Sequence, residues 1–473
     1  MRRSLRSAGF VLAALAASAA TIQAQGSNVM QHGACATAMV GAGVASPCTD
    51  GSAILFNPAG LVTHSSVVGL GVSAINTSAT FTYDITEEVI EQDATTTPVP
   101  AFFGSYRFND RWAAGLGVFA PYGLGIEWPV CSIEMPNCDD TNFEGRFVTY
   151  DTKLTNIYIQ PTVAFAASDW LSIGAGVDIV RGSIGINQRV DLATTDVPGA
   201  PITFAALGIP LGTDFADANL EGAGTGVGFH LGAMADLSEK FSVGVRYLHS
   251  VEINYEGDAM FKPVATGLVT APNNPLGAPE NIPLDAVLAP QFAEGGALAN
   301  QDIATSLTLP YQLVVGFAFR PMDELELKAD YQYTGWESFD VAHIDFSGAG
   351  PDTNLVLDYQ NTSTYLLGAE LDATDELKLR AGYRFNTAAE KDASVSPLLP
   401  EAERNYYSFG VGYRIMDGLG LDLAYQLVDQ SDRRGRVRPR TSLEQTAEEV
   451  NVGVYSSDAH VFTATLFYHF GGF

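Results

Sequence analysis

The chain has 473 residues, of which only 17% are charged, and 25 Lys and Arg against 54 Asp and Glu give a net charge of −29. This acidity excludes the basic surface that nucleic-acid binding needs, and the apolar fraction of 47% excludes a largely disordered chain. No apolar run reaches the roughly 20 residues that a membrane-spanning helix needs.

The N-terminus has the pattern of a secretory signal peptide. Arg2, Arg3 and Arg6 precede an apolar stretch over residues 10–20, and small residues follow. A basic region, a short apolar stretch and a small-residue cleavage site are typical of exported chains. We therefore predict a signal peptide over residues 1–25, with a buried N-terminal helix as the alternative.

Four cysteines follow the predicted signal peptide, and export would expose them to an oxidising compartment. Their spacing favours two local disulfides, Cys35–Cys48 and Cys131–Cys138. Four cysteines allow three pairings, however, and the sequence alone does not choose among them. A zinc site is the alternative, although no Cys-x-x-Cys motif supports it.

Residues 26–66 show no strand pattern and are rich in Ala and Gly. About 40 residues are too few to form a core of their own. The segment must therefore pack in a space that the rest of the chain encloses. A periplasmic tail is the alternative, but it would leave the apolar residues 53–56 in water.

From residue 67 onward, apolar and polar residues alternate in short segments such as 377–385 and 421–427. A period of two indicates strands with one apolar and one polar face. Fourteen strands are predicted, near residues 67–83, 100–108, 112–120, 151–167, 170–190, 225–237, 240–256, 304–320, 325–340, 355–372, 376–387, 404–415, 418–430 and 458–470.

The connections between these strands alternate between six tight turns and seven long loops. Outer-membrane barrels have an even number of strands, short periplasmic turns and long outer loops. A soluble sandwich has no reason to sort its loops in this way, and lipid does not tolerate an open sheet edge. We therefore predict an all-β fold, a 14-stranded antiparallel transmembrane β-barrel over residues 67–473. Residues 26–66 would then fill its lumen as a plug, here called the hatch.

Residues 50–61, which read Asp-Gly-Ser-Ala-Ile-Leu-Phe-Asn-Pro-Ala-Gly-Leu, resemble the plug signature of the FadL family of outer-membrane transporters for hydrophobic compounds. Further matches follow in family order, at residues 121–124, 144–147, 160–164, 171–176, 333–336, 380–383 and 410–414. The resemblance implies passive uptake of long-chain fatty acids or other hydrophobic molecules across the outer membrane of a Gram-negative bacterium. It implies no cofactor and a monomer.

The resemblance also assigns two structural roles. Asn57, Pro58 and Ala59 match the turn that holds the family's hatch. The ligand is expected to leave sideways through a gap at an inward kink of the third strand. Here the residues assigned to that lateral opening are Thr97, Pro98, Ala120 and Pro121. Proline lacks an N–H and cannot donate to a strand ladder, although prolines that simply end strands are the alternative.

Fatty-acid transporters of the family hold the ligand carboxylate with basic side chains on the lumen wall. Arg189 is the nearest match on the fifth strand, and Arg181 is the second candidate. The other basic position falls in a segment without Lys or Arg, where His343 is the only candidate cation. Charge-assisted hydrogen bonds are the strong ones, so the missing second Lys or Arg weakens the case for a carboxylate ligand. The sequence therefore leaves fatty acids and neutral hydrocarbons equally open.

Two other functions are weighed. An enzyme is disfavoured, because the seven His stand in no nucleophile elbow and no His-Glu-x-x-His motif. A general porin, or a structural or adhesive barrel, is disfavoured by the predicted hatch.

One basic cluster stands out in this acidic chain, in the loop after the thirteenth strand. It consists of Arg433, Arg434, Arg436, Arg438 and Arg440. Guanidinium binds phosphate in a bidentate manner, so outer-leaflet lipid, and lipopolysaccharide in particular, is a predicted partner. The alternative is pairing with acidic residues of the same loop, such as Glu444, Glu448 and Glu449.

Overall fold

The computed structural model describes residues 29–92, 95–130, 143–197, 201–274, 277, 279–350, 352–440 and 443–470. These residues form one antiparallel sheet that closes on itself, because β1 pairs with β19 from Ser66↔Phe470 to Tyr83↔Gly453. The predicted signal peptide, Cys131 and Cys138 lie outside the described residues.

The strands have the following bounds: β1 (Ser66–Tyr83), β2 (Val89–Glu91), β3 (Thr95–Arg107), β4 (Trp112–Glu127), β5 (Asp151–Ser168), β6 (Leu171–Asp191), β7 (Asp214–Ser238), β8 (Phe241–Leu248), β9 (Val251–Pro263), β10 (Gln301–Leu309), β11 (Gln312–Met322), β12 (Leu325–Thr334), β13 (Val341–Phe346), β14 (Thr353–Val356), β15 (Thr362–Asp372), β16 (Leu377–Asn386), β17 (Arg404–Met416), β18 (Leu419–Gly435) and β19 (Gly453–Phe470).

Four barrel strands are interrupted and consist of two consecutive segments: β8 with β9, β10 with β11, β12 with β13, and β14 with β15. β2 is a short addition to the outer end of β1. The described sheet therefore has fourteen barrel strands, and the predicted fold is confirmed. β4, β6 and β18 are the third, fifth and thirteenth of them.

The six tight turns lie at one end of the barrel and the long loops lie at the other, as predicted. Several strands run further toward the loops than the sequence indicated. β7, for example, begins at Asp214 rather than near residue 225. Residues 214–224 are mostly small or polar, so apolar alternation marks this part of β7 only weakly, although one face of it packs in apolar clusters.

The strand interruptions fall on neighbouring strands. The chain leaves the ladder at residues 249–250, 310–311 and 335–340. Residue 310 is a proline, which has no N–H to donate. β7 pairs with β9 up to Thr225 and with β8 only from His230 onward. The ladder between β7 and its neighbour is therefore interrupted between these two residues.

The barrel presents apolar side chains outward at alternate positions, among them Leu70 and Val72 of β1 and Val177 and Ile179 of β6. This is the pattern of a lipid-facing wall. Among the described residues, no helix is both long enough and apolar enough to cross a membrane.

The helices are short. α1 (Ala34–Ala38), α2 (Ala53–Phe56) and a 3₁₀ turn (Pro58–Val62) belong to the hatch, and nearly every hatch residue from 29 to 62 is buried inside the barrel. α3 (Leu284–Leu288) and α4 (Ala447–Val450) lie in outer loops. The hatch contributes Met39, Ile54 and Phe56 to the largest apolar cluster of the described chain.

Candidate functional site

The hatch turn is held in place by Asn57, whose side chain is fully buried. Its Nδ2 donates to the carbonyl oxygen of Val44 at 2.6 Å and to that of Ala233, in the barrel wall, at 3.1 Å. Its Oδ1 accepts from the backbone N–H of Ala59 at 3.1 Å, which caps the 3₁₀ turn that Pro58 begins. One side chain thus shapes the turn and attaches it to β7.

Two wall glycines allow this close approach. A Cβ on Gly232 would clash with the Asn57 side chain, and a Cβ on Gly174 would clash with the Pro58 backbone. The hatch turn therefore lies directly against the backbones of β6 and β7.

Three further polar side chains of the wall bind the hatch backbone. Asp330 Oδ2 accepts from the N–H groups of Gly43 and Val44 at 2.7 and 2.9 Å. Arg246 Nη1 donates to Leu55 O at 2.9 Å, and Lys328 Nζ donates to Ser46 O at 2.7 Å. Sequence reasoning missed these residues, because inward polar residues of a barrel strand look alike before their partners are known.

The disulfide Cys35–Cys48 is present and joins α1 to the loop before α2. This confirms the first predicted pair. The two sulfurs close a loop within the hatch, and both cysteines line a cavity that opens at the end of the barrel with the tight turns.

Replacing both cysteines, as Cys35→Ser with Cys48→Ser, is expected to destabilise the hatch and not the barrel. A loop of this length gains about 3 kcal/mol from its cross-link in the chain-entropy account. Hydrogen exchange should therefore accelerate over residues 29–62 and stay unchanged in β16–β19. Acceleration throughout the barrel strands would contradict this assignment.

The ladder between β3 and β4 is incomplete. It runs only from Phe102↔Val118 to Arg107↔Ala113, although β3 begins at Thr95 and β4 continues to Glu127. Residues 95–101 pair with β1 instead, and residues 122–127 pair with β5. In the described part of the chain, the wall is thus unpaired between the outer halves of these two strands.

The outer half of β4 turns into the lumen at this point. Its register with β5 shifts between Phe119 and Tyr122, and all residues from 119 to 126 are buried, which ends the in-and-out alternation. The carbonyl of Pro121 accepts from the N–H of Val29 in the hatch at 2.8 Å. The inward segment therefore contacts the hatch directly.

The residues predicted for a lateral opening flank this unpaired stretch. Thr97 and Ala120 are buried, whereas Pro98 and Pro100 face outward. Neither of these two prolines has an N–H that could extend the ladder to β4. The structure thus brings the predicted residues together, and their role in ligand release stays a prediction.

Tyr122 crosses the lumen from the inward segment. Its hydroxyl donates to Pro310 O at 2.9 Å, at the break between β10 and β11, and accepts from Gln312 Nε2 at 2.9 Å. Its ring lies 6.0 Å from that of Trp336, edge to face. Sequence reasoning missed Tyr122, because its position follows from a bend that residue spacing does not reveal.

The three predicted cations are not together. Arg189 is buried near the loop end of β6, with Nη1 3.5 Å from Asp217 Oδ1 and its guanidinium 5.7 Å from the Tyr150 ring. Arg181 is exposed on the same strand. His343 is exposed on β13 and contacts Asn354 and Asp345. Arg181 and His343 are therefore exposed, and of the three predicted cations only Arg189 is buried. Its role as a carboxylate ligand stays a prediction.

One part of the interior, toward the loop end of the barrel, is apolar. A small cavity of about 30 Å³ is lined mainly by Ile184, Ile186, Leu220, Ile303 and Ile344. Farther out, the described parts of the loops 192–213 and 264–300 pack on each other through a separate apolar cluster. Some apolar side chains of these loops stay exposed to solvent, namely Ile202, Leu211, Val269 and Ile282.

The arginine cluster pairs with acidic residues of other loops. Arg433 contacts Asp392, Arg434 contacts Asp84, Arg438 contacts Glu144 and Asp191, and Arg440 contacts Asp358. None of these carboxylates is Glu444, Glu448 or Glu449, the partners expected within the same loop. The segment therefore contacts three other outer loops, the end of β6 and the break between β14 and β15, and its Val437 is buried in an apolar cluster beside them.

A buried carboxyl pair, Glu390 and Glu401, lies under this segment. Glu401 Oε2 accepts from Ala389 N at 2.6 Å, and Glu390 Oε2 accepts from Glu401 N at 3.1 Å. Burial, with the neighbouring Glu401 carboxyl, raises the pKa of Glu390 from 4.5 to about 8. Arg433 donates to the carbonyl oxygens of both glutamates.

The outer loops are therefore expected to loosen as the pH rises. With the folded pKa above the unfolded one, the stabilisation is complete below about pH 4.5 and is lost as the pH passes about 8. Hydrogen exchange over residues 387–403, corrected for intrinsic base catalysis, should be on the order of tenfold faster at pH 9 than at pH 7. Glu390→Gln should abolish most of this difference, and an unchanged difference in that variant would contradict the assignment.

The cavity beside the hatch differs in character from the apolar part of the interior. It measures about 460 Å³ and opens among the tight turns. Ion pairs line it: Lys328 lies 3.0 Å from Glu326, and Arg380 lies 2.6 Å from Glu370 and 2.9 Å from Asp422. A hydrophobic molecule gains little by entering such surroundings.

Residues 10–470 match the family described as outer membrane protein transport protein (OMPP1/FadL/TodX). An outer-membrane protein of Neisseria meningitidis serogroup B is 24% identical over 417 residues, which are 82% of each chain. Outer membrane protein P1 of Haemophilus influenzae is 23% identical over 338 residues, 69% of this chain and 65% of that one.

Two solved structures have a similar fold. The crystal structure of a Pseudomonas aeruginosa FadL homologue superimposes with a TM-score of 0.76 at 22% identity, covering 94% of this chain and all of that one. The Pseudomonas putida toluene transporter TodX superimposes with a TM-score of 0.66 at 18% identity, covering 94% and 100%.

Proposed function

Because the chain belongs to the OMPP1/FadL/TodX family of outer-membrane transport proteins, we propose that it carries hydrophobic molecules passively through the outer membrane. It is an outer-membrane protein and not an enzyme. In the proposed route, the outer loops capture the molecule, the apolar interior takes it up, and it leaves sideways into the membrane between β3 and β4.

The single observation that carries this proposal is the incomplete ladder between β3 and β4, at the level where β4 turns inward. A barrel wall without paired strands is exceptional in lipid, because unpaired backbone groups are costly there. A buried apolar cluster that includes Phe103 and Phe119 lies beside this stretch, whereas the cavity toward the tight turns is lined by ion pairs. Apolar burial contributes about 0.8 kcal/mol per CH₂, which favours the lateral route for a long hydrocarbon.

The capture surface is proposed at the loops 192–213 and 264–300. Their apolar cluster is partly open to solvent, as the exposure of Leu211 and Val269 indicates. The polar headgroup layer, and not the hydrocarbon core, is the barrier to a hydrophobic molecule. Transport is therefore proposed to begin in a protein groove outside the membrane.

Fatty acids and neutral hydrocarbons remain the two candidate ligands, and Arg189 distinguishes them. If Arg189 binds a carboxylate, Arg189→Ala should weaken fatty-acid binding by about 1.5–3 kcal/mol, the scale of a hydrogen bond to a charged group. Binding of neutral hydrophobes should not change. Arg181→Ala is the matched control, because Arg181 is an exposed arginine of the same strand. Equal losses for both ligand classes would show that Arg189 only stabilises the barrel through Asp217.

A monomeric state and lipopolysaccharide as a partner stay predictions. Arg434 supports the second, because 58% of its side chain is exposed while it pairs with Asp84. Its guanidinium could therefore meet a lipid phosphate at the membrane surface without leaving the loop.

The experiment that tests the proposal is mass spectrometry of small molecules that co-purify with the barrel from its native membrane. Fatty acids or hydrocarbons should be enriched over their abundance in the surrounding membrane. A porin or an adhesin binds no hydrophobic cargo, so this alternative function predicts no enrichment. Absence of enrichment in protein purified without detergent exchange would contradict the transport proposal.

A further inference from the structure

We propose that the lumen wall beside the inward segment of β4 binds an uncharged polar head group, such as the hydroxyl of a long-chain alcohol. The site, here called the polar belt, consists of Asn156, Tyr158 and Gln160 of β5, Asp178 of β6 and Arg246 of β8. This inference rests on the proposed transport function and adds the chemistry of one end of the cargo.

Each side chain of the polar belt is buried and keeps one polar atom without a hydrogen-bond partner among the described residues. These atoms are Asn156 Nδ2, Tyr158 Oη, Gln160 Oε1, Asp178 Oδ2 and Arg246 Nε. Buried polar atoms are almost always paired, so these five unpaired atoms on β5, β6 and β8 indicate a partner, a ligand or water, that the described residues do not supply.

The polar belt is continuous. Asn156, Tyr158 and Gln160 occupy alternate positions of β5 and therefore share its inward face. Gln160 Nε2 donates to Asp178 Oδ1 at 2.6 Å. The Tyr158 ring lies 6.1 Å from that of Tyr122.

Arg246 joins the polar belt from β8, two strands beyond β6. Its Nη2 donates to Gln312 Oε1, and Gln312 Nε2 donates to the Tyr122 hydroxyl at 2.9 Å. Tyr122 thus lies between the two halves of the polar belt, so a head group bound there would also contact the inward segment.

The charges of the polar belt favour an uncharged ligand. Arg246 supplies one positive charge and Asp178 supplies one negative charge. Asp178 Oδ1 also lies 2.6 Å from Nδ1 of His230, whose Nε2 lies 2.9 Å from Thr162 Oγ1. A carboxylate would be repelled by Asp178, and an ammonium would be repelled by Arg246. A hydroxyl both donates and accepts, so it can satisfy Asp178 or Gln160 and Asn156 or Arg246 at once, whereas an alkane satisfies none.

Aromatic side chains beside the polar belt provide a surface for the apolar tail. Phe119 stacks on Tyr158 with ring centroids 6.3 Å apart, and Trp336 packs edge to face on Tyr122. Phe119 stands at the start of the inward turn of β4. The polar belt would therefore hold the head group while the tail reaches the unpaired stretch of the wall.

The test compares binding of deuterated 1-dodecanol, dodecane and dodecanoate to the purified full-length barrel in nanodiscs. Tyr158→Phe removes only a hydroxyl that has no partner in the described chain, so the barrel should fold normally. Tyr365→Phe, on the exposed outer face, is the matched control. The wild type and the control should prefer dodecanol over dodecane about three- to tenfold more strongly than Tyr158→Phe does, the effect of one hydrogen bond.

Each outcome decides the proposal. An unchanged preference in Tyr158→Phe would mean that ordered water alone fills the polar belt. Tighter binding of dodecanoate than of dodecanol would overturn the uncharged head group. Equal binding of dodecanol and dodecane to the wild type would overturn the head-group site and leave the transport function standing, whereas binding of none of the three would overturn both.

Discussion

Asn57→Ala is expected to abolish uptake of hydrophobic molecules while the barrel still folds. The substitution removes the donor to Val44 O and Ala233 O and the acceptor for the Ala59 N–H, all in a buried place. Leaving such groups unsatisfied costs about 1–3 kcal/mol for each buried group. That loss falls on the hatch turn, because the strand ladder from β1 to β19 does not involve Asn57.

The measurement is uptake of a labelled hydrophobe at equal surface expression, with the heat-modifiable gel shift as the measure of folding. Asn76→Ala is the matched control, because Asn76 lies on the outward side of β1 and bonds only Thr96 among the contacts described. Normal uptake by Asn57→Ala, for every hydrophobe tested, would refute the role assigned to the hatch turn.

Ala120→Trp should block transport by filling the unpaired stretch between β3 and β4. Ala120 is buried where the register of β4 shifts, and it shares an apolar cluster with Val99 of β3. An indole there would occupy the space through which the ligand leaves. Overpacking costs about 1–3 kcal/mol, which a closed fourteen-stranded barrel should tolerate. We expect uptake to fall at least about tenfold.

The control for this variant is Leu116→Trp on the same strand. Leu116 faces outward in the paired half of β4 and is 40% exposed, so an indole there meets lipid. Its uptake should match that of the wild type. Equal uptake by Ala120→Trp and Leu116→Trp would refute lateral release, and accumulation of bound ligand in Ala120→Trp alone would support it.

The number of strands and the hatch could be predicted from the sequence, because alternation and loop length are local patterns. The face of a residue is less secure, since a shift of one position turns a side chain to the other side of the wall. Burial is not evident from the sequence either: Arg181 and Arg189 are eight positions apart on β6 in an unbroken register with β7 and therefore share a face, yet Arg181 is exposed and Arg189 is buried beside Asp217 and Tyr150. The resemblance to the family ranks Arg189 first and Arg181 second, but it does not reveal which of the two is buried.

Bends and long-range pairs could not be predicted. The inward turn of β4 brings Tyr122 to Pro310, 188 positions away in the chain. The arginine cluster pairs with carboxylates from five separate parts of the chain, and the hatch binds Arg246 and Asp330 of strands far along the chain. Such contacts depend on closure of the whole barrel. The prolines at 121 and 310 were their only local signal.

The most direct test of the account measures uptake of a radiolabelled long-chain alkane and a long-chain fatty acid by cells that lack their own hydrophobic-compound transporters. Cells with this protein should take up at least one of the two several-fold faster than cells with Ala120→Trp, at equal amounts of folded barrel. Uptake at the rate of the empty outer membrane for both compounds, or steady ion conductance of the purified barrel instead, would contradict it.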